Sequence, residues 1–62
     1  MRTFIVEFAS IGTRDKWARK LGNSVVQNYK NYPMIAATLS EKRRRELSKV
    51  RGVHITPEVD YN

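Results

Sequence analysis

The sequence predicts an α+β domain of order β-α-β-β-α-β, a four-stranded antiparallel sheet carrying two helices on one face. Three observations predict it. Residues Arg2 to Ala9 alternate apolar and polar side chains at period two. Thr13 and Ser40 each stand before a stretch with helical spacing and can cap it. Between and after those stretches, short runs rich in β-branched and aromatic residues are punctuated by Gly22, Pro33, Gly52 and Pro57. That order is the ferredoxin-like, split βαβ arrangement.

The first strand places Phe4, Val6 and Phe8 on one side and Thr3, Ile5 and Glu7 on the other. Ile11-Gly12 breaks it. Thr13 then caps a helix from about Arg14 to Leu21, with Asp15 in the first turn opposing the helix dipole and Gly22 as the terminating residue. Its apolar stripe is Trp17, Ala18 and Leu21. A second strand runs from Ser24 to Tyr29, Asn31-Tyr32-Pro33 makes a turn, and a third strand covers Met34 to Leu39. Ser40 caps a second helix from Glu41 to about Val50, with Leu47 and Val50 inward and Lys42 to Arg45 mostly solvated. The last strand is Val53 to Thr56, stopped by Pro57.

Sixty-two residues allow one domain, residues 1–62, burying only roughly 60% of the surface its unfolded chain exposes. Its stability should amount to about a few kcal/mol at most, so a partner would help hold it together. No cysteine is present to add a disulfide. No apolar run approaches a membrane span, so the chain reads as soluble, monomeric when free and without a membrane partner. Twelve Lys and Arg against six Asp and Glu give a net charge of +6, which suits an acidic surface, nucleic acid or anionic membrane without choosing among them.

An enzyme is not expected. The carboxylates Glu7, Asp15, Glu41, Glu46, Glu58 and Asp60 lack paired or metal-ligand spacing, the one histidine is His54 in a strand, and no serine has a base and orienter. No catalytic residue, metal or cofactor is expected. The open face of the sheet is more informative. It should carry Thr3, Ile5, Glu7, Met34, Ala36, Thr38, His54 and Thr56, with Val25, Gln27 and Tyr29 of the second strand, and no Lys or Arg. Nine of the basic residues, Arg14, Lys16, Arg19, Lys20, Lys42 to Arg45 and Lys49, fall in the helices instead. A nearly uncharged face with small residues admits another protein's helices. Ile5, Met34, Ala36, Thr38 and His54 are the expected docking residues.

The opening strand Thr3-Phe4-Ile5-Val6-Glu7-Phe8, the stretch Ala36-Ala37-Thr38-Leu39-Ser40-Glu41-Lys42 with Glu46-Leu47, and the closing Val53-His54-Ile55 with Glu58 and Asp60 together resemble the propeptides of subtilisin-like proteases. That family also includes free-standing inhibitors of these enzymes. The resemblance spans nearly the whole chain and implies an inhibitor of a subtilisin-like serine protease that can also serve as an intramolecular chaperone. It implies a sheet packed on two surface helices of the protease, with Glu58 and Asp60 capping their N-termini and the tail Val59, Asp60, Tyr61, Asn62 entering the substrate cleft. The chain departs from the family where Pro57 replaces an acid and where only Tyr61 and Asn62 follow Asp60. A free-standing inhibitor would be cytoplasmic, and a fragment of a precursor would be secreted with its protease.

The alternative on the same fold is a small basic nucleic-acid-binding protein, given Lys42-Arg43-Arg44-Arg45 and the aromatics Trp17, Tyr29, Tyr32 and Tyr61. An RNA-recognition sheet presents aromatics on its central strands, and Met34 to Leu39 contains none. The basic run of the second helix reads as a solvated face, and nucleic acid is not the expected partner.

Overall fold

In a computed structural model, residues 2–58 are described and form the elements β1 (Arg2–Glu7), α1 (Ile11–Leu21), β2 (Val25–Tyr29), β3 (Met34–Leu39), α2 (Glu41–Ser48) and β4 (His54–Pro57), with a 3₁₀ turn at Gly22–Ser24. The four strands make one antiparallel sheet in the order β2-β3-β1-β4, the ferredoxin-like order. The two strands that begin each half, β1 and β3, are therefore central.

The period-two pattern of β1 does what it predicts. Phe4, Val6 and Phe8 are buried together with Ile35, Ala37 and Leu39 of β3, and Leu21 of α1 and Leu47 of α2 close over them. One cluster containing a leucine from each helix places both helices on the same face of the sheet. Trp17, Val25, Val53 and Ile55 pack around its margin.

Helix α1 begins three residues earlier than Thr13 would have it. Ser10 is the cap: its Oγ accepts a hydrogen bond from the Thr13 N–H at 3.2 Å, and the two hydroxyls lie 3.0 Å apart. Both residues are competent caps, and choosing the earlier one takes Ile11 and Gly12 into the first turn. Gly12 there costs about 1 kcal/mol relative to alanine. The shift also removes Asp15 from the first turn. Helix α2 has the predicted cap, Ser40 Oγ accepting from the Arg43 N–H at 3.2 Å, but ends at Ser48 and tightens through bonds from Lys49 N–H to Glu46 and Val50 N–H to Leu47.

The turn into β4 requires glycine. Gly52 has φ +82, and a Cβ there would lie 2.8 Å from the Cβ of Ala9, so both backbone conformation and space exclude a side chain. Strand β4 then sits one residue later than expected, and Pro57 is its last residue rather than the residue that stops it. β4 is an edge strand, where a missing N–H is tolerated.

Candidate docking face

The face of the sheet away from the helices is built by register. Glu7 is opposite Met34 on one side and His54 on the other, and Met34 is opposite Tyr29. This makes a row Tyr29–Met34–Glu7–His54 across all four strands. The next row is Gln27–Ala36–Ile5–Thr56, and Thr38–Thr3 follows, with the two threonine hydroxyls 3.4 Å apart. Ile5, Met34, Ala36, Thr38 and His54 thus share one surface, as their alternation predicts.

Ala36 is the centre of this surface. It is only 2% exposed although no helix covers it, because it lies between Ile5 and Gln27 in the middle of the sheet. Ile5, Met34 and Thr38 around it are half-buried, whereas Glu7, His54 and Thr56 toward the β4 edge are exposed. No Lys or Arg occupies any of these positions. Glu7 is the one carboxylate in the rows.

Val25 does not belong to this face. The ladder between β2 and β3 shifts between Val25 and Gln27, so that Val25 is opposite Ala37 while Gln27 is opposite Ala36. This bulge at Val26 restores Val25 to the core face, where it packs against the buried cluster. The extra residue, Val26, is 61% exposed.

Glu58 lies just past β4, and its backbone N–H donates to the carbonyl of Thr3 at 3.0 Å. That bond carries the β1–β4 pairing one residue beyond Phe4 and Pro57. Thr3 belongs to the open face, so Glu58 stands at its end. The other proposed contacts, Val59, Asp60, Tyr61 and Asn62, lie outside the described residues.

The opposite side of the molecule is organised around charge, and one of its members escapes a reading of the sequence. Arg14 is buried, not solvated. Its Nη1 donates to the carbonyls of Tyr29 at 2.9 Å, Lys30 at 3.4 Å and Tyr32 at 3.0 Å, while Nε and Nη2 both donate to Asp15 Oδ1, at 3.0 and 2.6 Å. The guanidinium fork thereby pins the β2–β3 turn to α1. The signal for it is spacing: Arg14, Trp17, Ala18 and Leu21 form one i, i+3, i+4, i+7 stripe. No buried side-chain polar atom among the described residues lacks a partner.

In α2 the acids are consumed in the same way. Arg43 donates to Glu46 at 3.0 Å and Arg44 to Glu41 at 2.9 Å, each three residues apart. The hydrogen bond and charge of Arg44 hold the Glu41 carboxyl below its ordinary range. A groove of about 430 Å³ opens between α2 and the β1–β4 edge, floored by Phe4, Val53, Ile55 and Pro57 and rimmed by Arg2, Glu41, Arg44 and Ser48. It lies on the helix side and does not interrupt the open face of the sheet. No helix is long and apolar enough to cross a membrane, and no group of three or more His, Asp or Glu is placed to hold a metal, among the described residues. No protein-family model, curated protein or solved structure matches the chain.

Proposed function

We propose that this domain inhibits a subtilisin-like serine protease by docking its open sheet face and placing its C-terminal segment in the substrate cleft, and that when joined to such a protease it also assists folding. The observation that carries the reading is the composition of the open face: Ile5, Met34, Ala36 and Thr38 at its centre and no cation anywhere on it, in a chain with a net charge of +6. Interface cores are depleted in charge. The small side chains of Ala36 and Thr38 let a partner's helices approach the strands closely.

Glu58 at the end of this face has the chemistry for the remaining contact. A helix N-terminus offers unpaired N–H donors and the positive end of a dipole, and a carboxylate satisfies both. Asp60, two residues on, would reach the same side of an extended segment. Val59 to Asn62 would then pair with the protease's substrate-binding strands through main-chain hydrogen bonds. In a precursor, a surface complementary to the native protease stabilises the assembling enzyme by mass action and lowers the barrier set by its long-range strand pairing.

The test is inhibition of a panel of subtilisin-like proteases, with chymotrypsin-like enzymes as controls. The expected result is competitive inhibition confined to the subtilisin-like set. Deleting Tyr61 and Asn62, or replacing Val59 by Asp, should weaken it with little change in thermal unfolding. Absence of inhibition across the subtilisin-like panel would overturn the proposal.

A further inference from the structure

The helix layer carries a second surface whose chemistry is opposite to that of the sheet. In α2, Leu47 is the fully buried residue. At 100° per residue, Lys42, Arg45 and the C-cap residue Lys49 project from the side opposite it, and all three are exposed. Arg43 and Arg44 lie on the flanks, and the acids Glu46 and Glu41 are paired to them. In α1, Lys16 and Arg19 project opposite the Arg14–Leu21 stripe and Lys20 lies on its flank against Trp17, and all three are likewise exposed. The acid of that helix, Asp15, is held by Arg14.

Sorting the acids to the flanks leaves two rows of cations, one on each helix of the layer, that make no ion pair among the described residues. The charges of the α2 row are three, four and seven residues apart and those of the α1 row one, three and four apart, and like charges three or four apart repel. In a domain of this size such repulsion opposes folding, and a polyanion would relieve it. The anion must be an extended one, since the rows span both helices and offer no enclosed site.

We infer that the outer surface of the helix layer binds the phosphate backbone of double-stranded nucleic acid, independently of the sheet face and without reading sequence. A bilayer fits less well. Membrane-surface helices present apolar side chains alongside their cations, and here both apolar stripes are turned onto the sheet. The exposed large apolar residues, Ile11, Val26 and Tyr32, sit at the start of α1, on the β2 edge and in the β2–β3 turn, away from the cation rows. Single strands need exposed aromatic platforms, and the aromatic nearest the rows, Trp17, is covered by Lys20, whose Nζ is 4.6 Å from the ring centroid.

The experiment is fluorescence anisotropy of a labelled 20-base-pair DNA duplex of arbitrary sequence across a salt series, with phosphatidylcholine vesicles containing phosphatidylserine as the competing anion. Binding is expected at low salt, weakening with a slope of about −0.9 in log K against log salt per phosphate neutralised. Replacing Lys42, Arg45 and Lys49 together by Gln, or Lys16, Arg19 and Lys20 together by Gln, should each reduce the magnitude of that slope by roughly 2 to 3. Circular dichroism of each set establishes that it folds, and two sets on different helices keep the test intact if one does not. Ala36→Arg, on the opposite face, should leave the wild-type slope unchanged, and both triple variants should inhibit protease as the parent does. Slopes unchanged in both triple variants, no binding to duplex at low salt, or tighter binding to the vesicles than to the duplex would each overturn the inference.

Discussion

The two faces of this small domain solve the problem of an unpartnered surface in opposite ways. The sheet face removes charge: across β2-β3-β1-β4 it shows Gln27, Ala36, Ile5 and Thr56 in one row and a single carboxylate, Glu7, in the next. The helix layer concentrates charge, and uses its acids on the arginines at the flanks so that the outermost positions are all cationic. A chain that merely needed a solvated exterior would mix both signs on both faces. The difference teaches that net charge is a poor guide to where a protein binds. The +6 of this chain belongs almost entirely to the side away from the proposed protease contact.

Cutting the connection between the two layers should have the largest effect. Arg14 joins α1 to the β2–β3 turn through three backbone carbonyls, and Arg14→Ala removes all of them while opening a void beside Trp17 and Leu21. Hydrogen bonds from a charged donor contribute about 1.5–3 kcal/mol each, but the freed carbonyls can be rehydrated, so a net loss of about 2–4 kcal/mol is expected. That is comparable to the whole stability of a domain this small. Urea unfolding should show a large drop in midpoint, or no folded baseline. Arg14→Lys should recover only part of it, because an ammonium cannot reproduce the planar fork.

The same residue marks where the sequence was and was not legible. The burial of Phe4, Val6, Phe8, Ile35, Ala37 and Leu39 and the open-face positions Ile5, Met34, Ala36, Thr38 and His54 follow from period-two alternation, because a strand's side chains have only two directions, and the strand order follows from the β-α-β-β-α-β succession of elements. Departures arise where one local choice changes everything after it. A bulge at Val26 reverses the face of Val25, and two adjacent competent caps, Ser10 and Thr13, differ by nearly a turn of helix. Arg14 has the spacing of a core residue and the identity of a surface one. Only the three carbonyls that converge on it, from a turn distant in sequence, resolve the conflict.

The smallest effect concerns the charge sorting in α2. Arg44 depresses the pKa of Glu41, so this pair contributes stability above the unfolded carboxyl pKa, and the contribution disappears as pH falls through the lower folded value. Arg44→Ala should therefore raise the Glu41 titration midpoint toward that of an ordinary glutamate, followed by NMR of its carboxyl carbon. Glu41 is exposed and Arg44 only half-buried, so global stability should change little. A midpoint unmoved by the substitution would mean that the pair does not persist in solution, and that Glu41 is free to dilute the cationic surface.

The central claim, that the sheet face without Lys or Arg rather than the basic helices engages the protease, is tested most directly by comparing inhibition constants for Ala36→Arg and Thr38→Arg with those for Arg44→Ala and Arg45→Ala. Circular dichroism verifies that each variant is folded. Arg at position 36 or 38 places an unpaired charge and a long side chain where a partner's helix must approach, and should weaken inhibition at least about tenfold, equivalent to about 1.4 kcal/mol or more. The helix substitutions should change it less than about threefold. Variants of the helix pair that lose more inhibition than the sheet variants would contradict the account.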